Sequence, residues 1–487
     1  MDSQQVSAER AARREPHAAT TLKPGALGVL SILFFVLSAQ APLTGIAGAA
    51  PISVAIGNGP GTPAAYVLAG GVILLFSVGF VAMGRHVVDA GAFAVYIGKG
   101  LGRTTAGGSA GVALFAYCVL QAAMYGLYGS IVSAFVADHT ALDLPWWTYT
   151  LATMAAVQAL GVAGIETGAR ILAVLVLAEF SVLLVFGLVT LVKGGGPEGL
   201  GLADSFSPSA ALHGAPGVSI MFAMASMLGF EATAIYGEEA KDPTKTVPRA
   251  TFLSVVTVTV FFAVVSWMLI SAYGASQAEG AAGEALAAGE SDGFVFAPIT
   301  AQLGDWIGDV LPVLLATSLF AGILTFHNSA NRYLFSLGRD GQLPTALARL
   351  NARRAPATAG CVQTALALAL IVPFAVAGVD PVRTLFSWFS GLAVLAMMLL
   401  YLLTSVSVVV FFRRSRVDDR RWHTLIAPVL GALGIAGAVW LILANFTTLI
   451  GGGLGTALWL GLTVPVVMAL GAANAHLRHR RTVRRDG

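Results

Sequence analysis

Apolar residues fill this chain in long blocks, parted by short polar or charged connections. A bilayer core about 30 Å thick, crossed at about 1.5 Å per helical residue, takes about 20 such residues. Blocks of this size predict helical spans, because a barrel strand needs only about 10 alternating residues. Twelve spans are predicted, at about 26–56, 64–84, 107–136, 146–164, 168–192, 214–236, 250–274, 307–337, 356–378, 384–411, 424–446 and 453–474. Spans 1 and 8 are longer than one crossing requires and must tilt, break or project. The predicted fold class is all-α integral membrane: a tail at 1–25, ten spans within 26–411, two more within 412–474, and a basic tail at 475–487.

Composition agrees. Of 487 residues, 56% are hydrophobic and 11% charged, against about 25% charged in soluble domains. The distribution of charge is more informative than the net value. Of 28 Lys and Arg, 26 lie in the tails or in the connections after spans 2, 4, 6, 8 and 10. Only Lys193 and Arg383 lie on the other side. This asymmetry predicts an even span count and cytoplasmic termini in the cell membrane. The first 24 residues are polar and basic, and the apolar run behind them is too long for a cleavable signal. The basic C-terminal tail is expected to sit against anionic lipid, with no nucleic-acid partner. Cys118 and Cys361 stand in apolar stretches and read as small buried hydrophobes. The acidic, Gly- and Ala-rich stretch 275–306, with Glu279, Glu284, Glu290 and Asp292, reads as a flexible exterior loop or a vestibule that gathers cations. No metal cluster, phosphate loop or nucleophile motif is evident, so no cofactor is expected.

Polar groups inside the spans are few and costly, which makes them informative. Of 25 carboxylates, only Glu179 in span 5 and Glu231 in span 6 fall deep in a span, and no Lys or Arg does. Such acids act as proton relays or stay neutral, hydrogen-bonded to helix backbone. Span 1 contains Gln40-Ala41-Pro42-Leu43-Thr44-Gly45, where Pro42 removes a donor and crowds the preceding turn. Span 6 contains Ser226-Met227-Leu228-Gly229-Phe230 directly before Glu231. Irregular backbone at this depth is tolerated only against protein or a water-filled cavity. Paired interruptions in corresponding halves point to a transporter site. The candidate substrate contacts are therefore Gln40, Ala41, Pro42, Leu43, Thr44 and Gly45 with Ser226, Met227, Gly229 and Phe230. In span 3, Tyr117, Gln121 and Tyr125 share a helical face, with Tyr128 beyond them. Gln121 and Tyr125 either line the substrate path or bind helix to helix. In span 8, Thr317 and Ser318 either ligate sodium or bond back to their own helix, and His327 is either packed or a relay.

The runs GFEATAIYGEEAKDPTKTVPRA (229–250) and NRYLFSLGRDGQLP (331–344) resemble the amino acid–polyamine–organocation superfamily of secondary transporters, over about residues 25–475. The resemblance implies a five-plus-five inverted repeat, about 26–192 and 214–411, with broken helices 1 and 6 and peripheral spans 11 and 12. It implies a small amino acid or amine held between spans 1 and 6, with help from spans 3, 8 and 10. Family members often carry Gly-Ser-Gly where this chain has Pro42-Leu43-Thr44-Gly45, and several carry a lysine near Glu179. Glu231 matches a family position linked to proton sensing. The expected function is proton-coupled alternating access, with Glu231 and Glu179 as coupling residues and sodium as the other candidate ion. An exchanger is the alternative; a nutrient sensor or membrane enzyme would be a different class.

Overall fold

The computed structural model describes residues 22–288, 290–450 and 452–486. Arg10, Arg13 and Arg14 of the predicted N-terminal tail lie outside the described residues, as do the side chains of Arg480, Arg481, Arg484 and Arg485. Ordered structure among the described residues is helical apart from isolated bridges, one of them parallel, between Leu27 and Ala240. In hydrocarbon this is the expected solution, since a helix satisfies its backbone groups within its own segment.

Among the described residues, ten helices are long and apolar enough to cross a membrane, and they coincide with predicted spans 1, 2, 3, 5 and 7 to 12. The remaining two segments explain the difference from twelve. Span 4 is the helix Trp146–Ala163, whose start is polar and which carries Gln158. Span 6 is interrupted: helix Pro216–Ser226 is followed by the irregular stretch 227–231 and then the single turn Ala232–Ile235. Span 1 is likewise split, into Val29–Gln40 and Pro42–Ile52. Span 3, Arg103–His139, and span 8, Trp306–Arg339, run to 37 and 34 residues, so each is about 50 Å long and projects from a core of about 30 Å. Within their most apolar stretches, 72% of span 3 is buried but only 33% of span 11 and 17% of span 12. Spans 5 and 9 are also little buried, at 28% each.

Three sequence expectations are corrected. The connection after span 2 holds a helix, Ala92–Leu101, with Phe93, Tyr96 and Ile97 buried. The stretch 275–306 is not a flexible loop but two helices, Ala275–Ala288 and Gly293–Leu303. Its alanines are the strongest helix formers, and Ala278 and Ala282, spaced i and i+4, bury one face of the first helix. Cys118 is buried as expected, whereas Cys361 is exposed.

Candidate functional site

The break in span 1 follows from its sequence. Pro42 has no amide to donate and takes the first helical position, where none is needed. Ala41, ahead of it, adopts a left-handed conformation (φ 42°) and its amide turns back to Ser38 O at 3.2 Å. The restarted helix has its amides occupied. Leu43 N donates to Glu179 Oε2 at 3.3 Å, Thr44 N lies 3.5 Å from Ser318 Oγ, and Gly45 N donates to Ala41 O at 2.8 Å. The Thr44 hydroxyl donates to Ser318 Oγ at 3.2 Å, while Glu179 Oε1 is buried without a hydrogen-bond partner among the described residues. Glu179 of span 5 thus holds the start of the second half of span 1, and Thr44 ties that half to span 8. Thr317 donates to Leu314 O of its own helix.

The break in span 6 is built on Gly229, at φ 111°, a backbone conformation open to glycine and strained for other residues. Close packing also demands glycine: a Cβ there would stand 2.6 Å from Ala39 Cβ in span 1. Glu231 is fully buried just beyond. Its Oε2 accepts from Gly229 N at 2.9 Å and from Tyr401 OH of span 10 at 2.6 Å; its Oε1 accepts from Tyr117 OH of span 3 at 3.4 Å. One carboxylate therefore joins the break to two other spans. The two breaks are joined directly where Gln40 Nε2 donates to Met227 O at 3.3 Å.

A cavity of 260 Å³ opens between the broken spans, close to the lower end of small-molecule pockets, about 300 Å³. Of the predicted contacts, Gln40, Ala41, Thr44, Gly45 and Ser226 line it. Pro42, Leu43, Met227, Gly229 and Phe230 do not; they form the breaks behind its wall. Gln121 and Tyr125 also face elsewhere. Gln121 accepts from Gln363 Nε2 at 2.6 Å, and the backbone carbonyl of Tyr125 accepts from Thr150 at 3.0 Å. Span 3 lines the cavity through the adjacent face, with Leu120 and Met124, while Phe326 of span 8 and Phe386, Ser387, Ser390 and Val394 at span 10 complete most of the wall.

Two broken helices around a pocket for one small solute agree with a sequence match to the Amino acid permease model over residues 27–470. The chain belongs to the amino acid permease family. Family membership places it among transporters and not enzymes. It is 26% identical to the branched-chain amino acid permease BcaP of Lactococcus lactis subsp. cremoris over 229 residues, 46% of this chain and 44% of that one. It is 31% identical to the Asc-type amino acid transporter 1 of Mus musculus over 117 residues, 24% of this chain and 20% of that one. These matches span less than half the length of either relative. In fold, the permease resembles the manganese transporter of Eremococcus coleocola, with a TM-score of 0.56 at 13% identity over 96% of this chain and 98% of that one. A mutant of that transporter superposes with a TM-score of 0.57 over the same shares.

The cavity lies on the side of the breaks away from the Lys- and Arg-rich connections. The opposite side is filled. Phe230 packs against Phe76 and Tyr401, with ring centroids 5.7 and 5.3 Å apart. Beyond this layer the permease holds ion pairs that the sequence reading assigned to span ends and connections. Arg332 is 2% exposed and Glu239 1%; both guanidinium Nε and Nη2 reach the carboxylate, and the cation lies 5.2 Å from the Tyr236 ring centre. Arg339 pairs with Glu238 at 2.6 Å and Asp89 at 3.2 Å. His327, singled out as packed or relay, is buried and neither ring nitrogen has a hydrogen-bond partner among the described residues.

Proposed function

We propose that this permease is a secondary transporter of amino acids or related amines, working by alternating access and driven by protons. The arrangement is read as twelve spans, with spans 1–5 and 6–10 as inverted repeats and spans 11 and 12 peripheral. The charge asymmetry supports cytoplasmic termini in the cell membrane. On that orientation the cavity faces the exterior, while the aromatic layer and the Arg332–Glu239 and Arg339–Glu238 pairs close the cytoplasmic side.

The observation that carries the reading is Glu231, buried at the span 6 break and accepting from three donors on three elements. An ionised carboxylate is an acceptor only, whereas a protonated one carries a donor of its own. Protonation would therefore reverse one tyrosine bond, with Glu231 donating to a hydroxyl that now accepts, or release it, and so change how span 6 is held to span 3 or span 10. Glu179 would act likewise on the second half of span 1, through Leu43 N. The test is uptake into proteoliposomes under separate pH and sodium gradients. Glu231→Gln is expected to abolish uptake driven by the pH gradient; undiminished, still pH-driven uptake in this variant would remove Glu231 from the mechanism. Counterflow without a gradient in the wild type would assign the exchanger reading instead.

A further inference from the structure

Resting on the transport reading above, one residue of the cavity wall comes from outside the ten spans that carry the breaks. Thr448 lines the cavity, and it belongs to the five-residue helix Phe446–Ile450 that connects spans 11 and 12. The connection 445–453 holds no charged residue, and it lies on the cavity's side of the breaks, away from the Lys- and Arg-rich connections.

The sequence explains how this helix reaches the cavity. Span 11 ends where Asn445 N and Asn445 Nδ2 both donate to Leu441 O, at 3.0 and 2.9 Å. That end comes close to the outer half of span 6 because residue 217 is glycine. A Cβ there would stand 2.6 Å from Leu441 Cδ2 and 3.9 Å from Asn445 Nδ2. Phe446 and Ile450, spaced i and i+4, share one face of the short helix and are buried, where the helix packs on spans 10 and 12. Gly452 N closes the turn on Thr447 O at 3.1 Å. With that face anchored, Thr448 is left on the opposite one, exposed to the cavity. Its hydroxyl makes no hydrogen bond among the described residues, so replacing it breaks no bond of the fold.

The rest of the wall shows which part of a solute arrives at Thr448. Gln40, Ala41 and Ser226, at the ends of the broken helices, form the inner end of the cavity. The outer end is formed by Thr448, by Phe386 and Ser387 where span 10 begins, and by Ile52, which lies about 15 Å along its helix from Pro42. In a cavity of 260 Å³, bulk added at the outer end comes directly out of the space left to the solute.

We propose that Thr448 is a specificity-determining residue: a solute with its polar groups at the breaks extends its side chain outward, and the helix 446–450 limits how bulky that side chain is. Spans 11 and 12, peripheral to the repeats, thereby supply part of the solute site.

The test is uptake of alanine, leucine and phenylalanine into proteoliposomes, with each also measured as a competitor of the one carried best. Thr448→Phe is expected to lower the affinity for leucine and phenylalanine relative to alanine by about tenfold or more, the scale of a methylene-sized misfit in an apolar pocket. Thr448→Ala is expected to shift the ratio the other way. Thr448→Cys in a Cys361→Ser background is expected to lose uptake on treatment with a membrane-impermeant methanethiosulfonate, and a saturating concentration of the best-carried amino acid should slow that reaction. If Thr448→Phe does not fold, the alanine and cysteine variants decide. An unchanged ratio, whether or not uptake falls, or a labelling rate that the amino acid does not slow, would overturn the inference and leave the transport reading standing. Wild-type protein that neither carries nor binds any of the three would overturn both.

Discussion

Replacing Gly229 by alanine tests the geometry that joins the two breaks. Two separate costs arise. At φ 111° a residue with a Cβ is held in a sparsely populated region, at about 1–3 kcal/mol. The new methyl would also lie 2.6 Å from Ala39 Cβ, while the Ala39 backbone atoms stand off at 3.6 and 3.7 Å. Relieving that overlap by moving span 1 or span 6 costs about 1–3 kcal/mol. The single variant should therefore lose about 2–6 kcal/mol in all, the sum of those two ranges, and transport little. Adding Ala39→Gly removes the second methyl and leaves ordinary contacts, so the double variant should recover the overlap cost, less about 0.5–1 kcal/mol for glycine inside a helix. The backbone cost remains. Thermal unfolding in detergent with uptake in parallel, read as a double-mutant cycle, separates the two. A Gly229→Ala protein with wild-type stability and uptake, or one that Ala39→Gly makes worse by its full single-mutant cost, would refute this account of the contact.

Three further outcomes are expected. Arg332→Met should cost about 3–5 kcal/mol by stranding Glu239 as a buried charge, and Arg332→Met with Glu239→Leu should unfold later than either single variant; additive losses would show that the pair does not act as one. Tyr401→Phe removes a 2.6 Å bond to Glu231 and should lower stability by about 1.5–3 kcal/mol, whereas Tyr117→Phe, whose bond is 3.4 Å, should cost less; equal losses in the same unfolding assay would contradict the geometry. Ala41→Gly relieves a left-handed alanine worth about 1–2 kcal/mol and should raise the unfolding midpoint, while Ala41→Val should lower it.

Pro42 and the Gly229–Glu231 pair made the two breaks legible, because a missing donor and a glycine beside an acid are local signals. The partners of the acids were not legible. Tyr401 is one tyrosine in a long apolar run, and nothing near it in sequence indicates that span 10 delivers it to Glu231. For Gln121 the helical face leaves two roles open, and the bond from Gln363 of span 9 to its carbonyl is the helix-to-helix one, while Leu120 and Met124 line the cavity. The two helices after span 7 were hidden by glycines and acids that suggested a loop, although Ala278 and Ala282 already carried a buried stripe. Arg332 and Glu239 looked like connection charges because burial at a span end depends on what the neighbouring connections fold over it.

The parallel bridge at Leu27 has a mechanical consequence. Leu27 N donates to Glu239 O and Lys241 N to Leu27 O, both at 2.9 Å, so the start of span 1 is stitched to the chain beyond the span 6 break. Any swing of that segment moves Leu27 with it. Were the permease to cycle as proposed, a spin label beside Leu27 would report that cycle from outside the cavity.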